Sequence, residues 1–240
     1  MLKNFDFGKF KILDGSILKM IAIVTMFIDH CGLIIFSRLD FATEPFLILG
    51  SKEISIYFLM RKIGRLAFPI FCFLITEGFI HTRNKKRYGI TLLIFALISE
   101  IPYNLMVSGK IFYLGGQNIY LTLFLGFFCL YLIEKVKEQP ILFVCLFLTA
   151  FASVILHTDY GIRGVSLILL LYILRNSKAV KTVLAFPLLS GGIYAFAAFL
   201  PINMYNGKRG FIKGSVLKYF FYIFYPLHIV LLLVIRGIVI

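Results

Sequence analysis

Tryptophan is absent from this sequence of 240 residues, and charged side chains are scarce. Asp, Glu, Lys and Arg make up 15% of the residues, whereas a soluble domain carries about 25%. Hydrophobic residues make up 60%, and the mean hydropathy is +0.95. An apolar excess of this size does not fit inside one water-soluble core. The composition therefore excludes an ordinary soluble domain and predicts a protein whose main solvent is lipid.

Acidic residues are the scarcest charged group, with 11 Asp and Glu against 25 Lys and Arg, and the formal net charge is +14. In a soluble protein this excess would indicate a nucleic-acid surface. Here the basic residues are scattered along the chain and form no single stripe, which argues against nucleic-acid binding. Basic loops retained on the cytoplasmic side of a membrane explain much of the charge.

The cysteines lack the spacing of a redox or zinc motif. Cys31, Cys72, Cys129 and Cys145 each lie inside an apolar run, with no CxxC pair and no histidine at metal-ligand spacing. Buried thiols of this kind act as small hydrophobic side chains. The sequence predicts neither a disulfide framework nor a metal site.

Apolar runs fill the chain and predict an all-α, polytopic integral membrane protein with about eight transmembrane helices around a central polar cavity. Several runs are shorter than the ~20 residues that cross a bilayer, so tilted or kinked helices are expected. No soluble domain or low-complexity stretch interrupts them, so residues 1–240 are predicted to form one transmembrane domain. The first run lacks a signal-peptide cleavage site and is expected to remain as a helix. The predicted spans are 17–36, 66–81, 88–107, 119–133, 140–157, 162–175, 180–200 and 217–236.

The distribution of basic residues predicts an orientation in the cytoplasmic membrane. If the lysine-bearing N-terminus and the basic loop 81–87 are cytoplasmic, the loops on that side carry a modest excess of Lys and Arg. This places both the N-terminus and the C-terminus in the cytoplasm. The basic loop 201–218 then falls outside and is the main exception. The amphipathic segment ISIYFLMRKIGR (54–65) is expected to lie at the membrane interface.

Several ionisable residues fall within or beside the predicted spans, where a charged side chain costs ~2.5–3.5 kcal/mol. For any single residue, a hydrogen bond that ties two helices together is an equally good interpretation. Such ties need only Ser, Thr or Asn, so a whole set of carboxylates and imidazoles indicates a polar cavity for proton transfer or ion passage. The set is Asp29, His30, Glu77, Glu100, Asn104, His157, Asp159 and His228.

Several sequence runs keep a characteristic order along the chain: LKMIAIVTMFIDHCG (18–32), GRLAFPIFCFLITEGFIHTRN (64–84), ALISEIPYNL (96–105), DYGIRG (159–164), and YNGKRG followed by FFYIFYPLHI (205–229). Through these runs the chain resembles the TraX family, which is named for a conjugal-transfer protein that N-acetylates a pilin subunit at its amino terminus. The resemblance implies a multi-pass membrane protein that transfers an acyl group, most simply acetyl, from acyl-CoA.

A more distant likeness is to membrane acyltransferases that O-acylate polysaccharides outside the cytoplasm. Their first helix carries an Arg, ten intervening residues and a His, and Lys19 and His30 have this spacing here. Lys replaces Arg, and an ammonium binds phosphate differently from a guanidinium fork. In that group a basic cluster after the second helix holds coenzyme A phosphates, and residues 83–87 occupy the corresponding place.

These likenesses imply roles for individual residues. His30 is predicted to be the general base that removes the proton of the acceptor, and it lies ~16 Å along the helix from Lys19. Asp29 and His228 are further catalytic candidates, but Asp29 points about 100° away from His30. Glu100 or Glu77 is the better candidate to orient the imidazole. Coenzyme A phosphates are assigned to Lys19, Arg83, Lys85, Lys86 and Arg87, and the acceptor or its oxyanion to Asn104, Asp159, Tyr205 and Asn206.

Two other classes of function stay open. A proton-coupled transporter would use the same histidines and carboxylates as a relay, although no internal repeat of the kind found in many transporters is visible. A non-catalytic membrane partner would help to assemble a surface appendage, with the polar residues holding helices together. In the acyltransferase interpretation the partners are the lipid bilayer, acyl-CoA and an extracytoplasmic peptide or glycan, and the sequence specifies neither the acceptor nor the acyl length.

Overall fold

Helices account for most of the fold. The structure is a computed structural model that describes residues 11–239, and the antiparallel strands β1 (Leu47–Leu49) and β2 (Lys52–Ile54) form a small hairpin. The prediction of a helical protein is therefore confirmed. The helices are α1 (Gly15–Ile34), α2 (Asp40–Thr43), α3 (Ile56–Gly64), α4 (Ala67–His81), α5 (Lys85–Ser108), α6 (Ile119–Lys135), α7 (Gln139–Ile155), α8 (Gly161–Ile173), α9 (Lys178–Ala185), α10 (Gly192–Phe196), α11 (Phe199–Asn203) and α12 (Ser215–Val239).

Polar side chains set the beginnings of the long helices. The Asp14 carboxylate accepts hydrogen bonds from the backbone N–H groups of Ser16 and Ile17, both at 2.9 Å, at the start of α1. The Asn84 side chain accepts from the Arg87 backbone N–H at 2.8 Å at the start of α5. The first turn of a helix has N–H groups without helical partners, and these caps satisfy them.

Among the residues that the structure describes, four helical segments are long and apolar enough to cross a membrane: Gly15–Arg38, Ile56–His81, Lys85–Ser108 and Val216–Ile238. Helices α7 and α8 are apolar but shorter, with 17 and 13 residues. The chain is therefore a multi-pass membrane protein, and the predicted number of about eight spans is not confirmed.

Large apolar side chains cover the outward faces of the bundle. Leu97 on α5 is 70% exposed, and Phe143 on α7 is 68% exposed. Contiguous apolar surface of this kind is rare on a soluble monomer. In a bilayer it faces the lipid tails, which explains where the apolar excess of the sequence is placed.

The bundle has two ends that can be told apart by their loops. At one end Lys85 forms an ion pair with Glu134, and the Gly15 N–H donates to the Lys208 carbonyl at 2.8 Å. We call this the basic end. The other end holds the β1–β2 hairpin and the loops 109–118 and 156–160, and we call it the hairpin end.

The segment from α9 to α11 enters the bundle from the basic end and returns to it. The Lys178 Nζ donates to the Asn203 carbonyl at 2.6 Å, so the start of α9 and the end of α11 lie together. The chain reverses at Gly191 and Gly192, where Gly192 has φ of 57°, a conformation that glycine adopts at little cost. The predicted span 180–200 is therefore wrong, because this segment is a broken helical hairpin and not one crossing helix.

Helices α1 and α12 run in the same direction. The Lys19 Nζ lies 5.9 Å from the centre of the Phe221 ring, and farther along both helices His30 contacts His228. Because α1 begins at the basic end, α12 ends at the hairpin end. Two orientation predictions are therefore wrong. The loop 201–218 was expected on the opposite side of the membrane from the start of α1, but the two lie together at the basic end. The end of α12 was expected on the same side as the start of α1, but it lies at the hairpin end. When the loop 201–218 is counted with the basic end, the excess of Lys and Arg at that end becomes larger.

Helix α3 packs along α1 and continues into α4. Gly64 permits this approach, because a Cβ at that position would overlap the side chain of Asp29. Arg61, on the preceding turn, forms an ion pair with Asp29 at 2.6 Å. Residues 56–64 are therefore part of the second candidate span, which begins at Ile56 instead of residue 66.

Candidate active site

Two histidines on different helices form a hydrogen bond inside the bundle. The Nδ1 atom of His30 on α1 lies 2.6 Å from the Nε2 atom of His228 on α12. Their rings are nearly parallel, with centroids 4.8 Å apart, and His228 is only 2% exposed. His228 therefore lies in the interior of the protein, whereas His30 is partly exposed.

The backbone of α12 determines which nitrogen of each ring carries the proton. The Nδ1 atom of His228 lies 2.7 Å from the Phe224 carbonyl oxygen, which can only accept. His228 must therefore donate a hydrogen bond from Nδ1, and its Nε2 lone pair accepts a hydrogen bond from the Nδ1–H of His30. The Nε2 atom of His30 is left with a lone pair. An imidazole whose other nitrogen is held as a donor is suited to act as a general base.

A histidine, and not a carboxylate, orients His30. Asp29 points to Arg61 on α3, in agreement with its predicted direction away from His30. The Glu100 carboxylate accepts from the Asn118 side chain at 2.5 Å, and Glu77 lies 3.5 Å from His81 near the basic end. The prediction that Glu100 or Glu77 orients His30 is therefore wrong, since His228 makes this contact.

A cavity of about 740 Å³ opens at the basic end, between α1, α4, α5, α6 and α12. Its mouth is basic, whereas its inner part is apolar and aromatic, so it differs from the predicted central polar cavity. The basic rim consists of Lys19, Arg83, Arg209 and Lys218. The inner part is lined by Met26, Tyr88, Tyr120, Tyr222 and Tyr225, among others.

The predicted phosphate-binding residues lie only partly at this cavity. Lys19 and Arg83 line its mouth, whereas Lys85 pairs with Glu134 and does not line it. Lys86 and Arg87 are exposed on the first turn of α5 and do not line it either.

Sequence reasoning missed two rim residues, Arg209 and Lys218. The reason is that the loop 201–218 was assigned to the other side of the membrane. The signal that could have found Lys218 is its helical spacing, because it lies two turns before Tyr225 on one face of α12. Lys218 and Tyr225 both line the cavity, so the face of α12 that carries them is directed into the bundle.

The predicted acceptor-binding residues are divided between the two ends. Asn104 and Asp159 lie at the hairpin end, where the Asn104 side chain donates to a loop carbonyl at 3.0 Å. Tyr205 lines the cavity mouth at the basic end. The Asn206 side chain accepts from the Lys208 N–H at 2.8 Å and so closes a turn of the same loop. The structure therefore does not bring these four residues together in one place.

Comparison with known proteins gives a family for this chain. The sequence model described as TraX protein matches residues 14–236, which include both histidines and the whole basic rim. The chain belongs to the TraX family. The resemblance predicted from the sequence is thus confirmed.

Two other proteins are similar to this TraX-family protein. The "Probable fimbrial assembly protein FimC, serogroup H1" of Dichelobacter nodosus is 31% identical over an alignment of 260 residues, and this alignment covers 97% of each chain. An uncharacterized protein of Rickettsia prowazekii (strain Madrid E) is 32% identical over 111 residues, which cover 44% of this chain and 36% of that protein. No solved structure matches the chain.

Two titratable groups of the TraX-family protein lie in loops near the two ends of the site. The Asp159 side chain reaches solvent at the hairpin end, yet desolvation by the surrounding protein raises its pKa to about 6, against the opposing effect of Arg65. At the cavity mouth, desolvation and the neighbouring Glu77 raise the pKa of the Tyr205 phenol. For both groups the raised pKa favours the protonated form.

The ion pair between Asp29 and Arg61 is expected to stabilise the packing of α3 on α1. Its side chains are 18% and 19% exposed, and one carboxylate oxygen of Asp29 is buried without a hydrogen bond. Arg61→Met should destabilise the folded protein by about 3 kcal/mol, because it removes the hydrogen-bonded partner of a largely buried carboxylate. Adding Asp29→Asn should restore most of the loss. Thermal unfolding in detergent measures this, with Lys52→Met on the exposed hairpin as control; equal stability of Arg61→Met and wild type would contradict it.

Proposed function

We propose that this TraX-family protein is a membrane-embedded acyltransferase. It takes an acyl group, acetyl in the simplest case, from cytoplasmic acyl-CoA and transfers it to an amine or hydroxyl presented at the hairpin end. The observation that carries the proposal is the His30–His228 hydrogen bond just beyond the inner end of a cavity with a basic mouth. In this proposal the basic end faces the cytoplasm.

The basic rim is the place for the phosphates of coenzyme A. Guanidinium and ammonium groups form charge-assisted hydrogen bonds with phosphate, and these are about twice as strong as neutral ones. The rim has four such groups, on α1, on α12 and in two loops. The apolar inner part of the cavity suits the thin arm that carries the thioester. Lys19 and His30 share one face of α1, so the path from rim to base is ~16 Å long.

The histidine pair supplies the proton transfer. The lone pair of His30 Nε2 removes the proton of the acceptor N–H or O–H, and the acceptor attacks the thioester carbonyl. The carbon–sulfur bond then breaks, the acyl group stays on the acceptor, and the coenzyme A thiolate takes the proton back from His30. His228 accepts a hydrogen bond from His30 Nδ1 throughout, which holds the ring in place and stabilises its cationic form.

The name of the Dichelobacter nodosus relative favours a second candidate. A fimbrial assembly protein could act without catalysis, by holding fimbrial subunits in the membrane. The buried polar contacts would then only tie helices together. The same name also fits the first candidate if a fimbrial subunit is the acceptor.

Acyl transfer by the purified protein distinguishes these candidates. The protein is reconstituted in liposomes with isotope-labelled acetyl-CoA, and peptide amines and glycan hydroxyls are supplied as acceptors. We expect label on an acceptor with wild type and none above background with His30→Ala. Absence of transfer to every acceptor would reject the enzyme. Binding of fimbrial subunits that His30→Ala leaves unchanged would then support the assembly protein.

A further inference from the structure

One aromatic side chain closes the inner end of the cavity and touches both histidines. Tyr225 lines the cavity and is 4% exposed. Its ring centroid lies 6.0 Å from that of His30 and 5.8 Å from that of His228. Among the aromatic side chains that the structure describes, only this one lines the cavity and also packs against the pair.

The helix around Tyr225 is held in place by a contact that a proline makes necessary. Pro226 has no N–H, so the Tyr222 carbonyl loses its helical hydrogen bond. The Tyr120 hydroxyl donates to that carbonyl at 3.0 Å instead. The Tyr120 ring also stands perpendicular to the Tyr225 ring, with centroids 5.4 Å apart. Helix α6 therefore fixes α12 at the level of Tyr225 and limits the movement of its ring.

The positions along α1 show how little space remains beyond this ring. Met26 lines the cavity one helical turn before His30, which is ~5–6 Å along the axis. His30 itself does not line the cavity, and Tyr225 packs against it from the cavity side. A chain that enters from the basic rim therefore meets the Tyr225 ring as it comes within reach of His30.

We propose that Tyr225 is a specificity-determining residue that ends the donor cavity and restricts transfer to short acyl groups. The inference rests on the proposed function, because the thioester carbonyl must approach His30 for transfer to occur. Carbon atoms beyond the carbonyl then need the space that the Tyr225 ring occupies. An acetyl group adds one carbon there, whereas a butyryl or octanoyl group overlaps the ring.

A series of acyl-CoA donors tests the inference. Transfer by wild type, Tyr225→Ala and Tyr225→Phe is measured with acetyl-, butyryl- and octanoyl-CoA. In Tyr225→Ala we expect the ratio of kcat/KM for butyryl-CoA over acetyl-CoA to rise at least about 10-fold, since single methylenes already change such ratios by about 10–200-fold. Tyr225→Phe keeps the ring and should stay within about twofold of wild type. Equal use of octanoyl- and acetyl-CoA by wild type would overturn the inference.

Binding separates failure of this inference from failure of the proposed function. Displacement of labelled acetyl-CoA by donors of increasing length reports the end of the cavity without any transfer. In one outcome, wild type shows no transfer and binds long donors weakly, and Tyr225→Ala binds them more tightly. This outcome would reject the enzyme but support Tyr225 as the residue that limits the length of the bound acyl chain. Transfer by wild type, with an unchanged length profile in folded Tyr225→Ala, would reject the role of Tyr225 alone. If Tyr225→Ala does not fold, Met26→Ala enlarges the same end of the cavity and must shift the profile in the same direction.

Discussion

Replacing His30 with alanine is expected to lower the rate of acyl transfer by about 10²- to 10⁴-fold, the usual contribution of a positioned general base. The expectation follows from the free lone pair that the hydrogen bond with His228 leaves on Nε2 of His30. The loss should appear in kcat, because His30 does not line the donor cavity. Binding of acetyl-CoA should change less than about threefold, since the rim is untouched.

Variants of His228 test whether the pair acts as a unit. His228→Ala removes the acceptor for His30 Nδ1 and should lower kcat by about 10²-fold, because His30 is then free to rotate and to exchange its tautomer. His228→Gln offers an amide oxygen to the same proton and should recover part of the rate. His157→Ala, in an exposed loop at the hairpin end, is the matched control and should leave kcat unchanged. A His30→Ala or His228→Ala protein with more than half of the wild-type rate would contradict this mechanism.

Reversing two charges of the basic rim is expected to raise the Kd for acetyl-CoA by more than about 100-fold. Each charge-assisted hydrogen bond contributes about 1.5–3 kcal/mol, and about 1.4 kcal/mol corresponds to a tenfold change in affinity. Lys19→Glu with Arg209→Glu places two carboxylates at the cavity mouth, where both residues lie. Equilibrium binding of labelled acetyl-CoA to the purified protein measures the change.

The control for the rim carries the same change of net charge. Lys86→Glu with Arg87→Glu alters two exposed residues on α5 that do not line the cavity. We expect this pair to weaken binding by less than about threefold, through long-range electrostatics alone. Acetyl-pantetheine lacks the nucleotide phosphates, so its affinity should be the same for wild type and the rim variant. Equal losses of acetyl-CoA affinity in the rim variant and the control variant would reject the assignment of the basic rim as the phosphate site.

The histidines were visible in the sequence, but their pairing was not. His30 and His228 were both recognised as candidates because imidazoles are rare in apolar spans. Their contact requires α12 to run parallel to α1, and this depends on how many segments cross the membrane between them. The segment Lys178–Asn203 decides that number, because it turns back at Gly191 and Gly192. Hydropathy alone does not distinguish a broken hairpin from a crossing helix of the same composition.

Charge patterns misled the sequence interpretation where the partner lies far away in the chain. Arg61 falls in an amphipathic segment, and periodicity indicates a polar face without showing what that face meets. In the structure it meets Asp29, and Gly64 makes the close packing possible. The position of the Tyr225 ring was likewise hidden, since it depends on Pro226 and on a hydroxyl from α6. The helical class and the family followed from the sequence, whereas these contacts needed the fold.

A structure of the protein with an unreactive acetyl-CoA analogue, in which a methylene replaces the thioester sulfur, tests the account most directly. The account predicts that the phosphates lie on Lys19 and Arg209 and that the acetyl end lies against Tyr225, within reach of His30 Nε2. The account would be contradicted if the phosphates bound away from Lys19 and Arg209. It would also be contradicted if a lipid tail occupied the cavity at a saturating concentration of the analogue.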